Sequence, residues 1–329
     1  MYASGRRVLV DVLCMVFFSA VMSLLPDRVV AQSYPTKPIR LIVPYPAGQG
    51  TDIISRVIAE RLSGRLGQQI IVDNRPGAGG NIGTELAAKA IPNGYTLIMG
   101  TTATHAMNSS LYSSVPFDHI NDFVPIILVG TFPMILVANP AISANSIQEV
   151  IKLSRAMPGA INFGIASTSS RVSFELFKRS ANIDVVPVLY KGATTMFTDL
   201  IGDRIQFGFE TVAAAQPQVK AGKVKPIAIT SSKRSDLAPM VPTFAESGIV
   251  GYDVVVWVAL FAPRGTPAEV VGKLNGEVEQ ILLQPDLRQR IMSIGYDPGG
   301  GSADQLATYV KSETQKWSQI IKAAGIRAD

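Results

Sequence analysis

The sequence predicts an α/β protein of two lobes, each a mostly parallel β-sheet flanked by helices. Short apolar runs alternate with segments whose apolar residues recur at helical spacing, which is the pattern of βαβ units. The chain has 329 residues, too many for one small sheet, and no Pro/Gly/Ser-rich linker divides it. We therefore expect two sheets joined by strands that cross between the lobes.

The first βαβ unit begins at residue 39. Residues 39–43 are apolar and predict a strand, residues 53–62 carry apolar side chains at helical spacing, and residues 70–72 predict the second strand. A helix over residues 81–90 and a strand over residues 96–99 continue the pattern. Four later strands are predicted near residues 161–163, 185–188, 205–209 and 224–229.

Two apolar runs, residues 124–129 and 254–261, are the candidate crossover strands. If both cross, the second lobe is an insertion into the first. Lobe 1 would then comprise residues 32–129 and 257–329, and lobe 2 would comprise residues 130–256.

Several helix ends are marked by polar residues. Three segments pair an N-cap residue with Glu or Gln three positions later, the pattern of a capping box. The pairs are Ser146 with Glu149, Thr266 with Glu269 (Pro267 taking the first helical position), and Ser302 with Gln305. The last helix carries an apolar face from Leu306 to Ile321 before Gly325.

The amino terminus has the composition of a cleaved secretory signal. Arg6 and Arg7 precede an apolar run over residues 12–25, and small or apolar residues lead up to Gln32. The run is short for a membrane span. We therefore expect residues 1–31 to be removed on export, which would leave a mature chain without cysteine, because Cys14 is the only one.

The charge of the chain does not indicate nucleic-acid binding. The net charge is +5, and loss of residues 1–31 would remove three arginines and two aspartates, leaving +4. No run of basic residues is present, so we expect no nucleic-acid partner.

The first loop with functional character is PYPAGQGTD, residues 44–52, between a predicted strand and a predicted helix. Gly48 and Gly50 free the backbone, and the amide groups at the start of the helix would stabilise a carboxylate. Alternatively, Thr51 or Asp52 caps the helix and uses one or two of the four free amides.

A second loop, DNRPGAGGNIG over residues 73–83, lies between another strand and helix. Its proline and glycines allow a sharp turn and a close approach of the backbone to another group. Asn81 is placed to cap the helix that follows.

At these loops the sequence resembles the substrate receptors of tripartite tricarboxylate transporters, the Bug receptor family. The resemblance covers nearly all of the mature chain. It rests on motifs in a fixed order: YPTKPIRLIVPYPAGQGTD, DNRPGAGGNIG, PNGYTLIMGTTATHAMN, YKG, VKAGKVKPIAITSSKRS and APRGTP.

The resemblance implies a two-lobed periplasmic-binding-protein-like fold of the Venus flytrap type II. It further implies a periplasmic, monomeric receptor that captures a small organic carboxylate between its lobes and delivers it to the membrane subunits of a tripartite transporter. Neither catalysis nor a cofactor or metal is implied. A receptor that passes its signal to a membrane sensor has the same requirements and remains open.

The resemblance also assigns positions that contact the ligand. The first wall would comprise Tyr45, Ala47, Gly48 and Asp52, with Thr102, Thr104, His105 and Asn108 nearby. The second wall would comprise Tyr190, Glu210 and the segment from residue 167 to 173, in particular Ser167, Thr168, Ser169 and Arg171.

Two positions depart from the family pattern. Gln49 stands where a third glycine is common, and its amide either lines the pocket or faces solvent. Arg171 stands where the second-lobe loop usually ends in Ser-Pro-His. Its guanidinium either pairs with a second carboxylate of the ligand or is a solvated side chain in the first helical turn.

Two further site residues have alternative interpretations. His105 could donate to a carboxylate, or it could be a hydrogen-bonded structural histidine like His119. Asp52 beside an anionic ligand costs free energy unless a water or polar group lies between them. We expect it to accept a hydrogen bond from such a group, or to cap its helix.

Two enzyme classes are disfavoured by motif spacing. Gly77, Gly79 and Gly83 give G-x-G-x-x-x-G, which is not the dinucleotide-binding spacing, and they follow the second strand of the unit. No G-x-S-x-G or H-E-x-x-H motif is present, and the mature chain would lack cysteine. The sequence therefore favours a binding protein over a hydrolase or a dehydrogenase.

Overall fold

The computed structural model describes residues 34–236 and 238–328, and within them ten strands form a curled mixed sheet. The strands are β1 (Ile39–Val43), β2 (Ile70–Asn74), β3 (Thr96–Thr101), β4 (Phe123–Ala138), β5 (Asn162–Ile165), β6 (Val186–Leu189), β7 (Phe207–Thr211), β8 (Lys225–Ile229), β9 (Val255–Pro263) and β10 (Asp297–Gly300). The predicted signal segment, residues 1–31, lies outside the described residues.

Ten α-helices flank the sheet in the same described ranges. They are α1 (Gly50–Leu66), α2 (Asn81–Ala88), α3 (Asn108–Leu111), α4 (Ile147–Ala156), α5 (Thr168–Ser180), α6 (Ala193–Ile201), α7 (Val212–Lys220), α8 (Ala268–Leu282), α9 (Pro285–Ser293) and α10 (Ala303–Ala323). A 3₁₀ turn covers Ala78–Gly80 and a π-helical turn covers Ala103–Met107. None of the helices described here combines the length and the apolar composition of a membrane span.

The strand order is β2-β1-β3-β9-β4-β7-β5-β6, with β8 and β10 also paired to β4. At one end β1 pairs in parallel with β2 and β3, and at the other β5 pairs in parallel with β6 and β7. These ladders confirm the βαβ units. The centre is antiparallel, because β4 and β9 run against each other and against their outer neighbours.

The long strand β4 joins the two halves of the fold. Its first part pairs with β9 and β10, and its last part pairs with β7 and β8. It contains the predicted crossover over residues 124–129, and β9 contains most of the crossover over residues 254–261. We call the half with β1, β2, β3 and β10 lobe 1, and the half with β5 to β8 lobe 2. The exact boundaries, at residues 129/130 and 256/257, stay a prediction.

Each lobe has its own apolar core. In lobe 2, Phe163 stacks on Phe207 with ring centroids 5.0 Å apart, and both rings are fully buried. In lobe 1, the buried face of α10 carries Trp317, whose indole N–H donates to Glu313 at 2.8 Å. Trp257 of β9 donates to the same carboxylate at 3.3 Å, so α10 docks on the crossover strand as a terminal helix should.

The predicted capping box at Ser302 is confirmed in full, and the one at Ser146 only as an N-cap, because the Glu149 side chain accepts from the Asn145 N–H. The Ser146 side chain accepts from the Glu149 N–H at the start of α4, and Ser302 forms a reciprocal capping box with Gln305 at the start of α10. The predicted capping box at Thr266 is not formed. Its hydroxyl donates to the carbonyl of Pro263 at 2.8 Å and caps no helix.

The positions of Pro267 and Asn81 also differ from the prediction. Pro267 occupies the N-cap position of α8, not its first helical position. The proposed cap at Asn81 is wrong as well, because Asn81 is the first residue of α2 and Gly80, with φ +98°, precedes it. The amide oxygen of Asn81 instead accepts from Asn108 at 2.6 Å.

Candidate functional site

A cleft of about 590 Å³ opens where the parallel strands of the two lobes end. Ligands of open α/β sheets bind outside the carboxyl ends of strands, and this volume is in the range of small-molecule pockets. The lining residues follow β1, β2, β5 and β6 or come from two further segments: Pro44, Tyr45, Pro46, Gln49, Pro76, Gly77, Ala78, Gly79, Gly80, Tyr112, Ile165, Ala166, Ser167, Thr168, Arg171, Leu189, Tyr190, Lys191 and Ala328.

The charged side chains among the described lining residues of the cleft are all positive. Arg171 and Lys191 line it, and none of its described lining residues is Asp or Glu. The amino ends of α1 and α5, which carry the positive ends of helix dipoles, begin at this same place. The cleft is therefore suited to an anion.

In the first wall, Tyr45 and Gln49 line the cleft. The Tyr45 hydroxyl lies 2.9 Å from the Thr101 hydroxyl, and burial raises the pKa of Tyr45 to about 12 against the lowering effect of that hydrogen bond. The phenol therefore keeps its proton at neutral pH. Gln49 is buried and its side-chain amide donates to the Ala166 carbonyl of lobe 2 at 3.4 Å, so the residue at the family's glycine position bridges the two walls.

Asp52 stabilises the first loop from behind and is not a lining residue. Its carboxylate accepts from the Gly48 N–H at 2.9 Å and from Asn74 at 2.9 Å, and it pairs with Arg56 at 3.0 Å. Burial alone would raise the pKa of Asp52, but the hydrogen bonds from Arg56, Gly48 and Asn74 outweigh it and lower this pKa. Gly48 and Ala47 are exposed on the same loop and also lie outside the cleft lining.

The start of α1 keeps free donors. The Ile53 N–H bonds the Gln49 carbonyl at 3.0 Å, but in the described structure the N–H groups of Gly50 and Thr51 have no partner and no side chain caps the helix. These are the orphan amides that every helix start leaves for a ligand or water.

The segment after β3 lies behind the first wall and does not line the cleft. Four predicted site residues belong to it: Thr102, Thr104, His105 and Asn108. The Thr102 hydroxyl accepts from the Trp257 N–H at 2.7 Å, and the Thr104 hydroxyl accepts from the Thr101 N–H at 3.0 Å. The Asn108 amide donates to the Gly79 carbonyl at 3.1 Å, so this residue positions the glycine turn that lines the cleft.

His105 is fully buried among aromatic rings. Its ring stacks on Phe261 with centroids 4.1 Å apart and lies 4.7 Å from Phe123. One ring nitrogen lies 2.8 Å from the Thr104 hydroxyl, and the other has no partner in the described residues. Burial, with a smaller contribution from His119, lowers the pKa of His105 to about 3.

We predict that His105 stays neutral from pH 8 down to pH 4.5. Below about pH 6.5 the unfolded chain binds a proton at His105 that the folded protein does not bind. The free energy of unfolding therefore falls by up to about 1.4 kcal/mol for each unit that the pH falls from about 6.5 to about 3. NMR titration of the imidazole signals tests this, with a His119→Gln variant to assign them, since the chain has two histidines. A titration of His105 with a midpoint near 6.5 would contradict the buried, neutral assignment.

In the second wall, Ser167 caps α5. Its side chain accepts from the Ser170 N–H and the Ser170 side chain accepts in return from the Ser167 N–H, a reciprocal capping box. The N–H groups of Thr168 and Ser169 have no partner within the described ranges, and Ser167 and Thr168 line the cleft. The sequence pattern does not reveal this box, because the residue three positions after Ser167 is Ser and not Glu or Gln.

Arg171 and Tyr190 also line the second wall. Arg171 is half-buried in the first turn of α5, and the hydrogen bond of its guanidinium, to the Ala328 carbonyl, is long at 3.5 Å. Tyr190 donates its hydroxyl to Asp199 at 2.9 Å. Burial and that bond raise the pKa of Tyr190 to about 12, so its phenol is also neutral.

Glu210 and Ser169 line a second, smaller cavity of about 30 Å³. Glu210, at the end of β7, is 2% exposed. One of its oxygens accepts from the Thr211 N–H at 2.8 Å, and the other has no partner in the described part of the chain. Burial raises the pKa of Glu210 to about 7, against the lowering effect of Thr211.

Several lining residues are not among the predicted site residues. The turn over residues 76–80 is predicted as a close-approach loop but not assigned to the ligand. Lys191 follows Tyr190 directly and could have been included on charge alone. Tyr112 and Ala328 come from segments distant in sequence, and no local pattern marks them.

The sequence matches known proteins over most of its length. Residues 54–326 match the family described as tripartite tricarboxylate transporter family receptor. Protein BugT of Bordetella pertussis is 34% identical over 302 residues, which is 90% of this chain and 92% of that protein.

Solved structures are similar at the same level. The structure of Rpa4515 of R. palustris with adipate is 35% identical with a TM-score of 0.87, over 89% of this chain and 99% of that one. MatC of Rhodopseudomonas palustris with bound malate is 30% identical with a TM-score of 0.82, over 88% of this chain and 100% of that one. These neighbours confirm the periplasmic-binding-protein-like fold.

Proposed function

The chain belongs to the tripartite tricarboxylate transporter receptor family, and from that premise we propose that it is a periplasmic receptor that captures a small dicarboxylate between its two lobes. We further propose that it delivers this ligand to the membrane subunits of a tripartite transporter. The family is one of solute-binding receptors and not of enzymes.

The observation that supports the proposal most strongly is the positive charge of the residues that line the cleft. Arg171 and Lys191 line it without a facing carboxylate among its described lining residues, and free N–H groups begin α1 and α5 beside it. A carboxylate at the helix starts and a second carboxylate near the two cations would both be stabilised in the cleft. The adipate and malate in the two similar structures are both dicarboxylates.

The number of donors is sufficient for tight binding. Each charge-assisted hydrogen bond contributes about 1.5 to 3 kcal/mol. Three or four of them therefore reach the ~8 kcal/mol of micromolar affinity after part is lost to ordering and desolvation.

Closure of the lobes supplies the mechanism of capture. A ligand that contacts both walls favours the conformation in which they are close, by its differential contacts in that state. The Gln49 side chain, which already reaches the Ala166 carbonyl of the opposite wall, stabilises the same arrangement.

We predict that a panel of organic acids will include dicarboxylates that raise the melting temperature of the purified protein. A ligand that binds the folded state alone stabilises it by about 2.7 kcal/mol at one hundred times its dissociation constant. Thermal unfolding with adipate, malate, longer and shorter dicarboxylates and monocarboxylates measures this. Stabilisation by amines or nucleotides, with no effect of any acid, would contradict the proposal.

A further inference from the structure

Glu210 lies in a small buried cavity that adjoins the ligand cleft. Tyr45, Gln49 and Ser167 line both the cleft and this cavity. Its volume of about 30 Å³ has room for about two water molecules and not for a ligand. Glu210 contributes a carboxyl oxygen that accepts no hydrogen bond from the described residues.

No cation among the described lining residues faces this carboxyl group. The cavity is lined by the starts of α1, α5 and α7 and by uncharged residues of β3, β4 and β9, and Glu210 is the one charged residue among its described lining. The titratable groups that adjoin Glu210 are the phenol of Tyr45, which lines the cavity, and the phenol of Tyr296; the pKa of each is raised by burial, and Glu210 raises that of Tyr296 further. Asp52 of α1 has Arg56 and Asn74 as partners and does not line the cavity.

The Tyr296 hydroxyl also lacks a partner in the structure as described. Gly50, the first residue of α1, packs against Tyr296 and against Thr211, the residue after Glu210. A Cβ at Gly50 would lie 2.7 Å from the Tyr296 hydroxyl and 3.0 Å from the Thr211 hydroxyl. Two unsatisfied polar atoms, one from each lobe, therefore lie near the start of α1.

A carboxylate bound at the cleft side of these helix starts places a second anion near Glu210, across Tyr45, Gln49 and Ser167, the residues that line both the cleft and the cavity. Two carboxylates that share such a site cannot both ionise without a large cost, and one of them takes up a proton. We propose that ligand capture by this receptor is coupled to the uptake of one proton by Glu210. The inference rests on the proposed function and adds its regulation by pH.

The direction of the coupling follows from the two protonation states. Glu210 has a pKa near 7 in the free protein because of burial, and the ligand raises it further. Affinity is then highest below the pKa of the free protein. It falls by up to about tenfold for each pH unit between the pKa of the free protein and that of the complex.

The experiment is titration calorimetry of the purified protein with adipate, and separately with malate, at pH 6.5, 7.5 and 8.5 in carboxylate-free buffers. Two buffers of different ionisation enthalpy at each pH give the number of protons taken up. We expect uptake to approach one proton at pH 8.5, and the dissociation constant to increase by about tenfold between pH 7.5 and 8.5.

Two variants separate Glu210 from other titrating groups. Glu210→Gln keeps the shape of the neutral acid, so its binding should be independent of pH, without proton uptake, and tighter than that of the wild type at pH 8.5. Glu175→Gln, on α5 and outside both cavities, should behave as the wild type does.

The wild-type measurement decides the matter even where a variant does not fold. Binding of adipate or malate at equal affinity from pH 6.5 to 8.5 without proton uptake overturns the coupling and leaves the proposed function intact. Proton uptake that persists in Glu210→Gln overturns the assignment to Glu210. Absence of binding by every acid at every pH overturns both proposals together.

Discussion

Replacement of Arg171 by alanine is expected to weaken dicarboxylate binding by about 10- to 100-fold. The guanidinium lines the second wall, and among the described residues it makes one long hydrogen bond, to the Ala328 carbonyl. Its remaining donors can meet a carboxylate in a bidentate geometry, and loss of charge-assisted bonds of this kind costs about 1.5 to 3 kcal/mol each. Isothermal titration with the dicarboxylate that stabilises the protein most measures the effect.

Arg179→Ala is the matched control, because Arg179 lies at the other end of the same helix and is exposed. It should leave affinity unchanged. Arg171→Lys should retain the charge but lose the bidentate geometry, and so bind with intermediate affinity. Equal affinities of the wild type and Arg171→Ala for every binding dicarboxylate would refute the role of Arg171 and favour the solvated interpretation.

Replacement of Gly79 by alanine is expected to weaken binding by about tenfold or more through a different cause. Gly79 has φ +63°, and a Cβ there would lie 2.7 Å from the Thr168 hydroxyl of the opposite wall and 2.5 Å from the Tyr112 hydroxyl. The added methyl group would hold the walls apart and disfavour the closed state. A penalty of about 1.4 kcal/mol on closure is a tenfold loss of affinity.

Gly48→Ala separates this effect from backbone strain. Gly48 has φ +83°, and a Cβ added there would have no atom within 4 Å, so alanine at this position has a similar left-handed strain without a collision. It should reduce stability and leave affinity near that of the wild type. Thr168→Ala in the Gly79→Ala background should restore part of the affinity, and a double variant no better than Gly79→Ala would argue against contact between the walls.

The outer parts of the fold were predictable because their signal is local. The first strand and helix pair, and the strands of lobe 2, follow directly from apolar runs and helical spacing, and the structure confirms them within a few residues. The antiparallel centre was not predictable in this way. The pairing of β4 with β9 depends on contacts between residues more than one hundred positions apart. The local spacing of apolar residues carries no information about such contacts.

The walls of the cleft were partly predictable. The loops after β1 and β5 are marked by glycine, serine and a helix start, and the structure places Gln49 and Arg171 in the lining. The burial of His105 is not visible in its local sequence. Its neighbours in sequence are polar, but Phe123 and Phe261 enclose its ring from distant strands, so its burial and its lowered pKa cannot be seen locally.

The hydrogen-bond partners of two polar residues differ from those predicted. Asn81 was expected to cap a helix, but its amide oxygen accepts from Asn108, 27 positions away. Asp52 was expected near the ligand or at a cap, and it accepts from Gly48, Asn74 and Arg56 instead. Carboxylate and amide side chains can satisfy several kinds of donor, so their partners depend on the tertiary fold.

The most direct test is a crystal structure of the protein with the dicarboxylate that stabilises it most. We predict one carboxylate within hydrogen-bond distance, directly or through one water, of the free N–H groups that begin α1 and α5, and the other carboxylate against Arg171. A dicarboxylate bound outside the cleft, or one inside it that contacts a single wall, would contradict capture between the two lobes.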